Sequence, residues 1–182
     1  MRHLLRVLVA VTIVLTVPSP AFAGPASSAT SRPAVAVTHD PASDLRTVEQ
    51  LLSATSLADF TVIARRGDAW LDFSTDFCSA PLVGNTGRSF DFHEPCRRHD
   101  FGYRNLKLLD RRWSCPSRPT GQICSSPGAF GMYWNGASRK RVDQQFLADM
   151  RTHCRSRPWY DEPTCFAWAE TFYAAVRVAG GP

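Results

Sequence analysis

Beyond its N-terminal stretch, this 182-residue chain has no further long apolar run, whereas a membrane-spanning helix needs roughly 20 consecutive apolar residues. It has no G-x-S-x-G, so a serine nucleophile on a strand-to-helix elbow has no support. The H-E-x-x-H zinc pattern is also missing: in "HEPCRRH" the second histidine comes too late and Pro95 interrupts. A zinc deaminase needs H-x-E with a distant P-C-x-x-C, but His93-Glu94 has no spacer and Pro95-Cys96 runs on to His99. No EF-hand pattern and no internal repeat is present. What remains is a small set of histidines and acids and six cysteines.

The first residues read as a cleavable export signal. A basic start (Arg2, Arg6) leads into "LLRVLVAVTIVLTV" and then "PSPAFAGP", where Ala21 and Ala23 form a small-residue cleavage site; removal of residues 1–23 is therefore expected, leaving no transmembrane segment. Loss of the two arginines takes the formal charge from +5 down by two, to +3. That mild basicity is compatible with anionic membranes or nucleic acid and is diagnostic of neither. All six cysteines (Cys78, Cys96, Cys115, Cys124, Cys154, Cys165) follow the signal, so a disulfide framework in an oxidising, extracellular compartment is expected. Sequence leaves the connectivity open. Pairing of neighbours, Cys78 with Cys96, Cys115 with Cys124 and Cys154 with Cys165, is the simplest choice, because short loops of this kind each contribute about 3 kcal/mol in the chain-entropy model.

The exported part is long enough for one buried core, so one domain is expected over residues 44–182. Residues 24–43, rich in Pro, Ser and Ala without sustained period, read as a flexible leader or pro-segment. Ser43 can cap a first helical region carrying Leu45, Val48, Leu51 and Leu52, broken near Ser56, resumed through Leu57, Phe60 and Ile63, and stopped at Arg65-Arg66-Gly67. A loop over residues 68–94 precedes a helix with Pro95 in its first turn. Residues 110–136 read as an irregular disulfide-tied insert. A helix starting at Ser138 has Val142, Phe146, Leu147 and Met150 on one stripe, and a last helix runs from Pro163 towards paired glycines. The fold class is all-α, a small disulfide-stapled helical domain.

Chemistry concentrates in "EPCRRHDFGYRNLKLLD". Cys96, His99 and Tyr103 fall at i, i+3 and i+7, while Asp100 points about 100° away from His99. A bridged Cys96 would pin the helix to the preceding loop. Zinc on Cys96 and His99 would need thiolates that stay reduced after export, so it is disfavoured. Oxygen donors are better represented: "DFSTDFC" offers Asp72 and Asp76 on a loop fixed by Cys78, with Asp100 beside His99. Calcium takes six to eight oxygens from carboxylates, carbonyls and water.

Together, "DFSTDFC", "PCRRHDFGYRN", "SRKRVDQQFLADM" and "CFAWAETFYAAV" resemble, in order from about Trp70 to Val178, the bacterial and fungal secreted phospholipase A2 family. The resemblance implies a small helical phospholipase A2 domain that needs Ca2+ and acts on phospholipid at a membrane or micelle surface. It makes His99 the catalytic histidine and Asp143 the carboxylate orienting it, and Asp76, the carbonyl of Phe77 and Asp100 the calcium ligands. The family usually has leucine at Phe77; only a carbonyl is needed there. Its two disulfides match Cys78 to Cys96 and Cys154 to Cys165, which leaves Cys115–Cys124 as a private third bridge. The glycine-rich calcium loop of animal secreted enzymes is absent.

Elementary chemistry agrees. Ester hydrolysis needs a water made nucleophilic near neutral pH, and histidine is the side chain suited to take its proton. The second ring nitrogen then needs an acceptor that also stabilises the imidazolium, a role Asp143 would fill. Arg139, four residues before Asp143, offers that carboxylate a rival partner. Tyr103 reads as a supporting hydrogen-bonder. Trp70, Phe73, Phe77 and Phe92 are candidates for the apolar walls of a lipid site, although aromatic residues so spaced are more often core. The leading expectation is a secreted, monomeric, calcium-dependent phospholipase A2 cleaving the sn-2 ester. The alternative is a non-catalytic calcium- and lipid-binding module of the same fold. Nucleic-acid binding through "RKR" at Arg139–Arg141 and "CRR" at Cys96–Arg98 rests on short charge runs only and is not expected.

Overall fold

An aspartate sets the start of the first helix. Asp40 accepts hydrogen bonds from the amides of Ala42 and Ser43, and the Asp40 amide donates in turn to the Ser43 hydroxyl. This capping box, with Pro41 at the first helical position, starts α1 (Pro41–Glu49). The helix begins two residues before Ser43, the cap expected from sequence. It runs into a π-helical turn, Gln50–Ala54, and stops. Ser56 caps α2 (Leu57–Arg66), which ends at Gly67 with φ of 71°, a left-handed value that glycine adopts freely.

This computed structural model describes residues 39–78, 90–114 and 131–179. The export signal, most of the leader, much of the expected insert and the Cys115–Cys124 pairing lie outside the described residues. The remaining elements are α3 (His93–Trp113), α4 (Gly136–Arg155) and α5 (Glu162–Ala179). No strand occurs among the described residues, and the molecule is all-α. A second capping box starts α4. Asn135 caps it and Ser138, expected to open the helix, is again the reciprocal partner three residues in. No helix among the described residues is long and apolar enough to cross a membrane.

Helices α3 and α4 pack antiparallel, because Arg98, His99 and Tyr103 meet Asp149, Asp143 and Arg139 in reverse order. Their close approach needs Gly102. A Cβ there would stand 2.7 Å from Val142 Cγ1 and 3.0 Å from Leu52 Cδ1. Two buried clusters flank this contact. One gathers Val48, Leu52, Phe60, Phe101, Leu106, Leu109, Trp134 and Val142; the other gathers Phe90, Phe92, Phe146, Met150, Ala169 and Phe172. Two disulfides staple the second cluster, Cys78–Cys96 between loop and α3 and Cys154–Cys165 between α4 and α5, each with Cα atoms 5.4 Å apart. Both are pairings expected from the sequence.

Candidate active site

His99 lies where the two clusters meet, its ring between those of Tyr103 (centroids 4.4 Å apart) and Phe146 (4.8 Å). One face of α3 brings it there, and the Gly102 contact brings α4 near enough to answer it. Nε2 of His99 is 2.8 Å from Oδ1 of Asp143, whose side chain is wholly buried. With Nε2 committed to a carboxylate, Nδ1 is the nitrogen left to take a proton.

Asp143 has partners on both oxygens. Tyr103 donates its hydroxyl to Oδ1 at 2.8 Å, and Arg177 on α5 donates to Oδ2 at 2.6 Å. Arg139 stands 3.8 Å from Oδ2, too far for a hydrogen bond, and instead donates to the carbonyls of Val176 and Arg177 at the end of α5. Burial alone would raise the Asp143 pKa; hydrogen bonds from His99, Arg177 and Tyr103 outweigh it and hold the carboxyl below its ordinary value. Tyr103 is pushed up to about 12 by burial and by its bond to Asp143, so it stays a neutral donor. The pair can therefore move a proton at Nδ1 while a fixed anion steadies the ring.

The second carboxylate, Asp100, faces residues 68–78 instead. Its Oδ2 accepts from the Thr75 hydroxyl at 2.5 Å and from the Asp76 amide at 3.1 Å. Burial raises the Asp100 pKa, the Thr75 hydrogen bond opposes the rise, and the charge of Asp76 adds to it. One oxygen of Asp76 receives Arg104 at 2.8 Å. Phe77, next in the chain, has φ of 57°, the one positive value at a non-glycine among the described residues. Among the described residues no three His, Cys, Asp or Glu side chains cluster as a metal group. A cation here would draw on two mutually repelling carboxylates, a backbone carbonyl and water, an all-oxygen set that suits a hard divalent ion. The Asp72 carboxylate accepts from the Ser74 amide and closes a local turn.

Several working residues carry no clear sequence signal. Asn105, wholly buried, accepts from the Asp72 amide (2.9 Å) and donates to the Asp72 carbonyl (2.7 Å), clamping the loop to α3. Its position four residues after Phe101, on the buried face, is the signal that could have found it, since a buried amide must be satisfied. Arg98 forms a buried pair with Asp149 and also donates to the Thr55 carbonyl at 2.6 Å. Arg177 has no distinguishing context. The two basic runs are largely occupied internally, Arg97 with Glu94, Arg98 with Asp149 and Arg141 with Glu49. Three of the four aromatic wall candidates belong to packing instead. Phe92 is fully buried, Phe73 stacks on Phe101 at 4.9 Å, and Trp70 lies under the Arg112 guanidinium at 3.8 Å. Phe77 is half-buried, edge-on to His93 and under Arg97.

Comparison with known proteins gives a consistent result. The family model described as prokaryotic phospholipase A2 matches residues 48–117 and 132–180. The intervening residues fall within the stretch expected to be an insert. A secretory phospholipase A2 of Arthroderma benhamiae is 28% identical over 136 residues, covering 72% of this chain and 76% of that protein. A secretory phospholipase A2 of Beauveria bassiana is 30% identical over 111 residues, covering 61% of this chain and 45% of that protein.

Proposed function

The chain belongs to the prokaryotic phospholipase A2 family, and from that premise we propose that it is a secreted, calcium-dependent phospholipase A2. Its substrate would be a glycerophospholipid cleaved at the sn-2 ester, giving a free fatty acid and a lysophospholipid. The observation that carries the reading is the 2.8 Å contact between His99 Nε2 and the wholly buried Asp143. A carboxylate that deep is costly unless it has work and partners.

In this reading Nδ1 of His99 takes a proton from the attacking water and later returns it to the leaving alcohol oxygen. Asp143 holds the Nε2–H and stabilises the imidazolium, a division of labour related to the serine-protease triad without its serine. Tyr103 and Arg177 keep the carboxylate from turning, and the Tyr103 and Phe146 rings flank the imidazole. Asp76, Asp100 and the Phe77 carbonyl would hold calcium. Bound there, calcium would supply Lewis-acid stabilisation of charge developing on the ester oxygen and a counter-charge for the substrate phosphate. The two disulfides and the secretory relatives support export.

The test uses mature protein on mixed micelles of a phospholipid labelled differently at sn-1 and sn-2. The sn-2 label alone is released, release stops in EDTA and returns with calcium, and His99→Ala abolishes it. Undiminished release in excess EDTA would overturn calcium dependence, and release from sn-1 would overturn the regiochemistry.

A further inference from the structure

Between α4 and α5 the chain turns through "SRPWYDEP", and this turn carries the two most exposed aromatic side chains among the described residues. Trp159 is 82% exposed and Tyr160 64%. The turn is nevertheless closed by its own hydrogen bonds. The amides of Asp161 and Glu162 both donate to the Pro158 carbonyl, at 2.9 and 3.2 Å, which leaves Trp159 and Tyr160 at the tip of a closed turn. Its base is held by the Arg157 amide on the Cys154 carbonyl and by the Cys154–Cys165 bridge. The two rings meet edge to face with centroids 5.9 Å apart. Arg157 reaches Asp161 at 3.5 Å and lies over Phe90 at 5.7 Å. Arg155 is exposed and makes no ion pair among the described residues.

A tip of this kind does nothing for the core. Tryptophan and tyrosine combine an apolar body with a polar end, the combination that settles at a lipid–water boundary. Because hydrogen bonds and a disulfide already close the turn, little conformational freedom is left to lose when it enters another phase. A protein partner fits less well, since a stable interface takes roughly 800 Å² from each side, far more than a two-residue tip offers. Position adds to the argument. His153, just before the turn, packs edge-on to Phe92 at 5.5 Å, and Phe77 packs on His93 at 5.1 Å. The turn therefore shares the N-terminal end of α3 with the loop that carries Asp76 and Phe77.

We propose that the Trp159–Tyr160 turn is the point at which the protein docks on a phospholipid surface, the two rings entering the headgroup layer and Arg155 lying against the phosphates. The inference takes its partner class from the phospholipase reading, and its test separates the two. Mature full-length protein is mixed with vesicles of non-hydrolysable diether phospholipid, zwitterionic or partly anionic, and binding is read by co-sedimentation and by quenching of tryptophan with bromine-labelled acyl chains. Wild type binds and is quenched, and Trp159→Phe removes most of the quenching. The pair Trp159→Ala/Tyr160→Ala lowers the partition coefficient by about tenfold or more with an unchanged thermal midpoint. Arg155→Glu weakens binding to anionic vesicles more than to zwitterionic ones. Wild-type binding by the double variant overturns the proposal, and so does a tip that drives self-association without vesicle binding. Hydrolysis of a monomeric short-chain phospholipid is measured separately. Release without docking overturns the docking inference alone; docking without release overturns the phospholipase reading alone.

Discussion

Asp143 is the residue on which most of the site depends. One buried carboxylate takes His99 and Tyr103 on one oxygen and Arg177 on the other, with Arg139 near but beyond hydrogen-bond reach. The sequence left its partner open between His99 and Arg139; geometry assigns it to His99, and the counter-cation comes from α5. Asp143→Asn should leave Arg177 without its anion and remove the acceptor that fixes the His99 tautomer. We expect kcat to fall by roughly 10²- to 10⁴-fold with a smaller effect on KM, measured on monomeric substrate. The same carboxylate governs acid stability. Its pKa is lowered on folding because hydrogen bonds outweigh burial, so its contribution is fully present above the ordinary value of 3.8 and is lost as pH falls through the lower folded value. The urea-midpoint gap between wild type and Asp143→Asn should close as pH falls below about 4, where the Asp143 carboxylate takes up its proton. A gap that keeps growing below that pH would contradict this sign.

At the scale of elements, the helices were legible and their starts were not. For both α1 and α4 the sequence points to a serine as the opening residue, whereas the cap is an Asp or Asn three residues earlier and the serine is its reciprocal partner. Both residue types cap helices, and sequence does not say which of two within one turn takes the role. The π-helical turn at Gln50–Ala54 was likewise invisible except as a break near Ser56. Gly102 lies in the quoted string "HDFGYRN", yet its reason appears only when α4 is packed against it. Gly102→Ala would press a methyl into Val142 and Leu52. Helix propensity favours the change by up to about 1 kcal/mol, but overpacking opposes it by about 1–3 kcal/mol. We expect net destabilisation in a urea melt, with loss of activity larger than stability alone explains, because the α3–α4 spacing sets the His99–Asp143 distance. Gain of stability at full activity would show that the helices move apart without consequence for the pair.

Across the whole molecule, α3 is the shared spine, and residues 68–78 are fastened to it at several points. The Cys78–Cys96 bridge was legible as the simplest pairing of neighbours. The Asn105 clamp on Asp72 and the Thr75 and Asp76 contacts to Asp100 were not, since they depend on how the folded loop presents its backbone groups and the Thr75 hydroxyl to α3. The three separate segments of the candidate site were found from local strings, but the ties between them belong to the folded chain. On the proposed calcium reading, that arrangement would make cation binding and stability one measurement. An ion bound only by the native state stabilises it by about 2.7 kcal/mol at one hundred times its dissociation constant, a thermal shift on the order of 5–10 °C for a domain of this size. Calcium should raise the midpoint by that order and EDTA should reverse it. Asp100→Asn should lose most of the increment, and His99→Ala should keep it, because the proposed ligand set is all oxygen and holds no imidazole. Asn105→Ala should lower the midpoint without calcium, because the part-buried amide and carbonyl of Asp72 lose their partner, at a cost of about 1 kcal/mol. It should also shrink the increment, because ordering the loop then falls to the ion. An increment in Asp100→Asn equal to that of wild type would remove Asp100 from the ligand set and move the cation away from the loop.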